Sequence, residues 1–387
     1  MTNTTDYYCS QKFWWLSLDI EKFQTYSCCS ATPQKINFVN IQRDTGQLFN
    51  TAILQRERQD MLNGVPVESC AATCWRPESN GLISRRLLYK SDQRTHQTIQ
   101  SNPEMLNIIV GSDCNMTCVY CCKKYSSSWR RDVQDSAYQV ETLDDRFKFT
   151  KLDQLSGYVK QKQISRSRQI ELLLDEIDAI CQQQAPKEIH ISGGEPFLWI
   201  ELESLLSRLP SSSQICIFTG LGVNQTRFQN QLKILQKYTN VTVEVSAESV
   251  GPLYEFVRSG NTWDRFCDNI RELDRSGIFY SYNAVVSNLT VLGIADFEKF
   301  IGNKEIEYSI CQDPDFLAVH VLDETTKDWV RKNTNNQLIM DAIDTKATDL
   351  QIKNLYNYIT DFANRRSIDL AKIYPESFIK WISNVVQ

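Results

Sequence analysis

Histidine is scarce in this chain of 387 residues, and the usual signs of a membrane or secreted protein are missing. Only three His residues occur, and none lies in a pattern that indicates acid/base catalysis. No apolar run approaches the roughly 20 residues that span a bilayer, and the first residues have neither the charged start nor the apolar core of a signal peptide. We therefore expect a cytoplasmic protein without a membrane partner, and we assign no catalytic side chain.

A strong positive charge is also missing. The 42 Lys and Arg residues against 47 Asp and Glu residues give a net charge of −5, which does not indicate nucleic-acid binding, although a local basic surface is not excluded. The segment 123–168 is the candidate for such a surface, because basic residues there alternate with aromatic ones. We expect a solvated insertion, and a lid or a surface for phosphate or an acidic peptide is the alternative.

Cysteine, by contrast, is abundant, with 13 residues. Cys114, Cys118 and Cys121 stand in C-x3-C-x2-C spacing directly after the apolar run 105–110. Three thiolates on one short loop can hold three irons of a [4Fe–4S] cluster and leave the fourth iron open for a ligand that is also a reactant. A zinc site and packed, reduced cysteines are the alternatives, but no His lies near the loop. Cys122 has a similar reach, yet the spacing selects Cys121.

A second motif follows about 70 residues later. The alternating segment 188–192 predicts a short strand that runs into Gly193, Gly194 and Glu195. Glycines let a ligand approach the backbone closely, and a carboxylate can accept a hydrogen bond from an ammonium group. Alone, such a motif is usually a turn.

Together, the two motifs resemble the radical S-adenosylmethionine (SAM) superfamily, whose loop reads C-x3-C-x-aromatic-C, with Tyr120 as the aromatic residue here. The resemblance implies that Cys114, Cys118 and Cys121 ligate a [4Fe–4S] cluster whose open iron chelates SAM. It also implies that Gly193, Gly194 and Glu195 contact the cofactor.

Three further polar residues follow predicted strands in the order that the resemblance implies. Ser246 and Glu248 end the segment 241–248, where they would face the SAM ribose; capping of the strand end is the alternative. Asn288 closes the next strand, where the family often has an Asn that faces SAM. Tyr120 is included among the candidate cofactor contacts.

The chain from residue 105 onward alternates short apolar strands with helix-length segments, which predicts βα units and a parallel sheet. This pattern matches the partial (β/α)6 TIM-type barrel that the resemblance implies. We expect an α/β protein with a barrel over 101–325, a cysteine-rich domain over 1–100 and C-terminal helices over 326–387. Predicted strands lie near 105–111, 187–192, 214–219, 241–247, 279–286 and 315–321.

Five further cysteines, Cys9, Cys28, Cys29, Cys70 and Cys74, lie in the first 100 residues. Sites that are distant in sequence can converge on one metal centre, and a small unit gains stability from such a centre. Structural zinc is the alternative. The pattern resembles the auxiliary iron–sulfur region of SPASM and Twitch radical SAM proteins, placed here before the barrel. On that resemblance these cysteines would ligate a second cluster, [4Fe–4S] or [2Fe–2S], with Cys28 and Cys29 as alternatives for one ligand.

The resemblance implies an enzyme that cleaves SAM reductively to a 5′-deoxyadenosyl radical, which abstracts hydrogen from a peptide or protein substrate. An external electron donor of the flavodoxin or ferredoxin type would be its partner. Modification of a nucleotide or small metabolite is the alternative substrate class, and a non-catalytic iron–sulfur protein is the alternative of another kind. For a peptide substrate, four tryptophans are candidates for an interaction surface, although such residues are more often core: Trp14, Trp15, Trp75 and Trp129.

Overall fold

The structure is a computed structural model that describes residues 7–29, 31–43, 45–79, 84–88, 101–142, 145–150 and 165–384. The chain forms two compact units. The first comprises Met1–Gly111, Lys160–Ile217 and Lys237–Thr242, and the second comprises Ser112–Val159, Phe218–Gln236 and Val243–Gln387, each as far as it is described.

The strands are short and mostly parallel, as the predicted βα alternation requires. In the described residues they are β1 (Trp15–Asp19), β2 (Gln24–Tyr26), β3 (Gln34–Lys35), β4 (Met105–Ile109), β5 (Glu188–Ser192), β6 (Gln214–Thr219), β7 (Val241–Ser246), β8 (Tyr280–Val286) and β9 (Ile306–Ile310). The predicted α/β class is confirmed.

The first unit contains a sheet in the order β3-β2-β1-β4-β5-β6. β4 pairs in parallel with both β1 and β5, so that Ile108 lies opposite Leu18 on one side and Ile191 on the other. All three of these side chains are buried. The residues after β4 and β5 therefore leave the same edge of this sheet, which is where ligand-binding loops of parallel sheets lie.

In the second unit β8 pairs in parallel with both β7 and β9.

The described residues also contain the helices α1 (Gln11–Trp14), α2 (Phe38–Arg43), α3 (Ala52–Leu62), α4 (Arg76–Ser79), α5 (Arg85–Leu88), α6 (Ser127–Asp135), α7 (Arg166–Gln183), α8 (Leu202–Leu206), α9 (Gln225–Leu235), α10 (Gly251–Val257), α11 (Trp263–Ser276), α12 (Ile294–Ile301), α13 (Glu324–Asn333), α14 (Gln337–Ile343), α15 (Asp349–Arg365) and α16 (Glu376–Asn384). The predicted C-terminal helices are confirmed by α13 to α16.

Local signals in the sequence explain where several helices begin and end. The Thr348 hydroxyl accepts a hydrogen bond from Gln351 N, and the Gln351 side chain accepts one in return from Thr348 N, which forms a capping box at the start of α15. Ser126 caps α6 by accepting from Trp129 N. Gly277, with φ of +76°, ends α11 in the left-handed conformation.

The prediction of a strand at 315–321 was wrong. Asp315–Leu317 is instead a turn of 3-10 helix, and the sixth strand of the predicted series is β9. The run is apolar because Phe316, Leu317 and several of their neighbours are buried in a core that also contains residues of α15. Strand β9 alternates between half-buried and exposed residues, so its sequence shows no comparable apolar signal.

The segment 123–168 also differs from the expected solvated insertion. In its described part, Trp129, Tyr138 and Phe147 are buried and pack with Tyr358 and Phe362 of α15. Trp14 and Trp15 are likewise buried in the first unit. Three of the four tryptophans considered for a substrate surface are therefore core residues. Across the described residues, no helix combines the length and the apolar character needed to span a bilayer.

Candidate active site

The three predicted ligands of the first cluster come together in the cysteine loop, which we define as residues 114–121. Cys114 and Cys118 are buried with Met116, and Tyr120 and Cys121 pack against them. Cys122 is also buried, but it lies outside this group. The donor set of the loop, three clustered thiols, thus fits a [4Fe–4S] cluster that leaves one iron without a protein ligand.

One face of the cysteine loop is held by the beginning of α6. Ser127 and Ser128 donate from their hydroxyls to the Cys114 carbonyl at 3.2 and 2.8 Å, and the Ser127 hydroxyl accepts from Cys114 N at 3.1 Å. The Ser126 hydroxyl donates to the Met116 carbonyl at 2.7 Å. These local hydrogen bonds satisfy polar backbone groups of the loop and fix the position of the backbone that carries the cysteine side chains.

The opposite face of the loop pairs with the chain that leaves α10. Thr117 N donates to the Ser259 carbonyl at 2.7 Å, and Val119 N donates to the Val257 carbonyl at 2.9 Å. The approach is close because Gly260 has φ of +101°, and a Cβ there would stand 2.4 Å from the Asn115 carbonyl oxygen. Only glycine fits this position.

Residues far along the chain complete the support. Trp129 Nε1 donates to the Cys118 carbonyl at 2.9 Å, and the Tyr358 hydroxyl donates to the Val119 carbonyl. Arg366 Nη2 donates to the Thr117 hydroxyl at 2.8 Å. No motif marks these three residues as supports of the loop, and the sequence indicated Trp129 only as a candidate for a substrate surface.

Burial is the largest influence on the pKa of two loop thiols, Cys118 and Cys121. It raises the pKa of Cys118, and the positive charge of Arg258 opposes this shift. Burial also raises the pKa of Cys121 well above its usual value, and the neighbouring thiols Cys122, Cys118 and Cys114 raise it further. Without a metal these thiols are therefore protonated, and a cluster must displace their protons on binding.

A buried ion pair lies beside Cys118. Arg258 Nε and Nη2 donate to the two oxygens of Glu248 at 3.0 and 2.6 Å, and the Tyr120 hydroxyl donates to the same oxygens at 3.1 and 3.0 Å. Glu248 is fully buried, and these contacts use its available lone pairs. The predicted contact between Glu248 and the SAM ribose stays a prediction. In the structure the carboxylate binds Arg258 and Tyr120 beside the cysteine loop.

The glycine motif occupies the end of β5 in the first unit. Gly194 N donates to the Gly111 carbonyl at 2.8 Å. Gly193 has φ of +146°, and a Cβ there would lie 2.7 Å from the Gly111 carbonyl oxygen. The buried Glu195 carboxylate accepts from Phe197 N at 3.1 Å. The two backbones approach closely here, so a side chain at Gly193 would clash, which explains this glycine independently of the predicted cofactor contact.

The remaining predicted SAM contacts lie at strand ends of the second unit. Ser246 is the last residue of β7 and is half-buried. Asn288, two residues beyond β8, is fully buried and donates from Nδ2 to the carbonyls of Phe316 and Val321 at 2.9 and 3.2 Å. Its Oδ1 is buried without a hydrogen-bond partner. Their roles toward SAM stay predictions.

Four of the five N-terminal cysteines also come together. Cys9, Cys28, Cys70 and Cys74 are buried, and we refer to them as the N-terminal cysteine set; Cys29 is exposed. Burial raises the pKa of Cys9 to about 12, and the thiols of the other three members raise it too, which indicates that the four thiols are close neighbours. This burial pattern favours Cys28 over Cys29 as the fourth member.

A lysine that sequence reasoning missed lies beside Cys70, one member of the N-terminal cysteine set. Lys12 is buried, and its Nζ donates to the Ser27 and Ser69 hydroxyls at 2.8 and 2.9 Å. It also donates to Cys70 Sγ at 3.7 Å and forms an ion pair with Glu57 at 2.8 Å. The positive charge of Lys12 lowers the pKa of Cys70, against the larger effect of burial, which raises it.

The described residues contain no group of three or more His, Cys, Asp or Glu side chains in the arrangement of a single-ion site. Such a site brings its ligands to one ion, with Zn–S distances of about 2.3 Å. The four thiolates of a cubane cluster, by comparison, each bind a different iron.

Comparison with protein-family models gives a match to the Radical SAM superfamily over residues 108–301, half of the chain. The match covers the cysteine loop, the glycine motif and the strands β5 to β8. No curated protein sequence matches the chain.

Comparison with solved structures gives a match to anSMEcpe with bound AdoMet, at 14% identity and a TM-score of 0.36, with 68% of this chain and 62% of that chain covered. Streptococcus suis SuiB bound to precursor peptide SuiA is 13% identical, with a TM-score of 0.34 and with 92% of this chain and 70% of that chain covered. The chain thus spans less than two thirds of the length of anSMEcpe. On the family match over half of its length, the chain belongs to the Radical SAM superfamily.

Proposed function

We propose that this protein cleaves SAM at a [4Fe–4S] cluster held by Cys114, Cys118 and Cys121 and removes a hydrogen atom from a peptide or protein substrate. The observation that carries the proposal is the cysteine loop: three clustered thiols on a backbone held from both sides. When bound, the reduced cluster and SAM supply one-electron chemistry, in which the sulfonium accepts an electron and the liberated 5′-deoxyadenosyl group takes the substrate hydrogen.

The chain's own share of this work is orientation. The cysteine loop would hold three irons in place. On the family resemblance, the exposed Gly193, the half-buried Gly194 and the Glu195 carboxylate would contact the amino end of SAM. Ser246 is our candidate for the ribose. The buried, unpartnered Oδ1 of Asn288 is a hydrogen-bond acceptor that a bound cofactor could use. Exclusion of water around these groups would protect the radical.

We propose a second, auxiliary cluster on the N-terminal cysteine set, within a domain of residues 1–100 that precedes the barrel of residues 101–325 and the helices of 326–387. Cys9, Cys28, Cys70 and Cys74 would be its ligands, and Lys12 would offset part of the negative charge of the thiolates. Zinc is the alternative metal, and the iron count described below distinguishes it from a cluster.

The basic segment after the cysteine loop favours a peptide substrate over a phosphorylated metabolite, because several of its Lys and Arg side chains are paired within the protein. In its described part, Lys123 Nζ donates to the Lys148 carbonyl at 2.6 Å, and Arg146 forms an ion pair with Asp313 at 2.5 Å. Arg130 donates to the Ser112 hydroxyl at 3.2 Å. These cations make contacts within the protein, which leaves fewer of them for a phosphate. An external electron donor of the flavodoxin or ferredoxin type and a cytoplasmic location complete the proposal.

The first test is SAM cleavage by the anaerobically reconstituted protein with dithionite as reductant. We expect formation of 5′-deoxyadenosine, and we expect none from the matched variant Cys118→Ala. If the reconstituted wild-type protein holds the cluster but never forms 5′-deoxyadenosine, the non-catalytic iron–sulfur protein is the better description.

The second test counts metal and sulfide in the double variant Cys70→Ala with Cys74→Ala. For two cubane clusters, we expect iron to fall from about eight to about four per chain. Cys29→Ala is the matched control, because Cys29 is exposed and its loss should leave the iron count unchanged. Loss of zinc at constant iron in the double variant would contradict the auxiliary cluster.

A further inference from the structure

Arg258 presents a positive charge to a sulfur atom of the cysteine loop. Its Nη1 donates to Cys118 Sγ at 3.8 Å, while Nε and Nη2 form the two-point contact with Glu248. Both side chains of the pair are buried, with exposed fractions of 5% and 0%. A buried ion pair gains little net stability over well-packed apolar residues of the same size, so its presence calls for a functional reason.

The backbone fixes the position of Arg258 relative to Cys118. Arg258 stands between Val257 and Ser259, whose carbonyls accept hydrogen bonds from Val119 and Thr117 on the two sides of Cys118. The main chain of Arg258 is thereby fixed next to Cys118, and the two-point contact with Glu248 holds the guanidinium. Such a fixed donor has the geometry of a preorganised contact.

Tyr120 completes the arrangement on the side of Glu248. Its hydroxyl donates to both carboxylate oxygens, and the Arg258 guanidinium carbon lies 5.2 Å from the centre of the Tyr120 ring. A guanidinium keeps its proton in proteins, because its pKa lies above about 12. Arg258 is therefore a permanent cation, and the positive end of the pair is directed at Cys118.

We propose that Arg258 is a positioning residue that raises the reduction potential of the loop cluster through its charge-assisted hydrogen bond to Cys118, with Glu248 limiting the size of this effect. The inference deepens the proposed function, because it rests on Cys118 as a cluster ligand. Hydrogen bonds to the ligand sulfurs and nearby charge are among the factors that set the potential of an iron–sulfur cluster. A positive charge beside a thiolate favours the reduced cluster, which carries one more negative charge.

The test measures the midpoint potential of the loop cluster by EPR-monitored redox titration of the full chain without SAM. A Cys70→Ala/Cys74→Ala background removes any signal from the N-terminal cysteine set. Arg258→Met leaves the Glu248 charge unpaired, and we expect about tenfold less reduced cluster at a fixed solution potential, or about 59 mV for one electron. Glu248→Gln should shift the potential in the opposite direction.

The double variant Arg258→Met with Glu248→Gln separates charge from folding. It leaves no unpaired buried charge, and we expect its potential to lie between those of Arg258→Met and the wild-type protein. Arg366→Met is the matched control, since Arg366 braces the same loop through the Thr117 and Ser259 hydroxyls. Its potential should change much less.

Equal potentials in Arg258→Met, in the double variant and in the wild-type protein, at equal iron content, would overturn the inference and leave the proposed function standing. Loss of the loop iron from every Arg258 variant, including Arg258→Lys and the double variant, would show that Arg258 only maintains the fold and would also overturn it. An iron count that does not fall in Cys118→Ala in the same background would instead contradict Cys118 as a ligand, and with it the proposed function.

Discussion

The two cysteine groups of this protein are assembled in different ways. The three thiols of the cysteine loop lie within eight residues, and their backbone is held by hydrogen bonds from α6 and from the chain after α10. The four members of the N-terminal cysteine set come from three stretches between Cys9 and Cys74, and Lys12 contacts one of them, Cys70. The loop ligands are neighbours in the chain, and the carbonyls of Val257 and Ser259 also hold their backbone, whereas the thiols of the N-terminal set become neighbours only through the fold of the first unit.

This difference determines what each metal centre does for the protein. A loop whose ligands are neighbours in the chain keeps its thiols close together before a cluster binds, and its chemistry then depends on small contacts such as the one from Arg258. A set that is collected from distant stretches closes several loops at once, so metal binding there contributes to folding. The predictions below test this contrast.

The largest effect is expected in the cysteine loop, from Cys121→Ala. The cluster would lose one of three ligands, and SAM cleavage should fall to background. Cys122→Ala is the matched control, because Cys122 lies outside the group of Cys114, Cys118 and Cys121. It should retain cleavage, measured as 5′-deoxyadenosine formed per cluster. The opposite result for the two variants would assign the third ligand to Cys122.

Removal of iron should affect the N-terminal cysteine set more than the cysteine loop. Chelation of the reconstituted protein is expected to raise the rate of proteolytic cleavage within residues 7–79 by about a hundredfold, since binding free energy at such a site is also folding free energy. Cleavage within residues 112–135 should change far less. Mass spectrometry of the fragments measures both rates, and equal changes in the two regions would contradict the contrast.

The same contrast explains what the sequence could predict. The cysteine loop was visible from spacing because all of its ligands are neighbours in the chain. The N-terminal set was predicted only through a resemblance, and the choice between Cys28 and Cys29 needed their burial. Lys12 carries no motif and reaches Cys70 only after folding, so no pattern could have revealed it.

The fold shows the same limit. Strands β4 to β8 were predicted from apolar runs between helices, and the structure confirms them. The apolar run at Phe316 and Leu317 misled the prediction, because a residue buried against a helix and a residue buried in a strand have the same composition. Tyr358 supports Val119 from 239 positions away, a relation that sequence periodicity does not contain.

Lys12→Met should destabilise the first unit by about 2 kcal/mol. Loss of one partner from a buried ion pair usually costs 3–5 kcal/mol, and the value should be lower here because Glu57 keeps a small exposed fraction. Lys187→Met is the matched control within the same unit, since Lys187 is largely exposed and pairs at 2.7 Å with Glu104, a carboxylate about as exposed as Glu57. It should change the free energy of unfolding by less than about 1 kcal/mol. Urea unfolding of both variants measures the difference, and equal changes in the free energy of unfolding would mean that the buried Lys12 pair has no special importance for the N-terminal set.

The smallest effect is expected for alanine at two glycines with positive φ, one in each unit. Gly277→Ala introduces a strained conformation, but its Cβ would meet nothing within 4 Å, so we expect a cost of about 1 kcal/mol. Gly193→Ala carries a comparable strain and also places its Cβ 2.7 Å from the Gly111 carbonyl oxygen. We expect about 2 kcal/mol for this variant, because the ends of β4 and β5 must move apart. Urea unfolding of the metal-free protein measures both values. A larger loss for Gly277→Ala would mean that the close approach of these two strand ends adds no constraint, and Gly193 would then be explained by the cofactor alone.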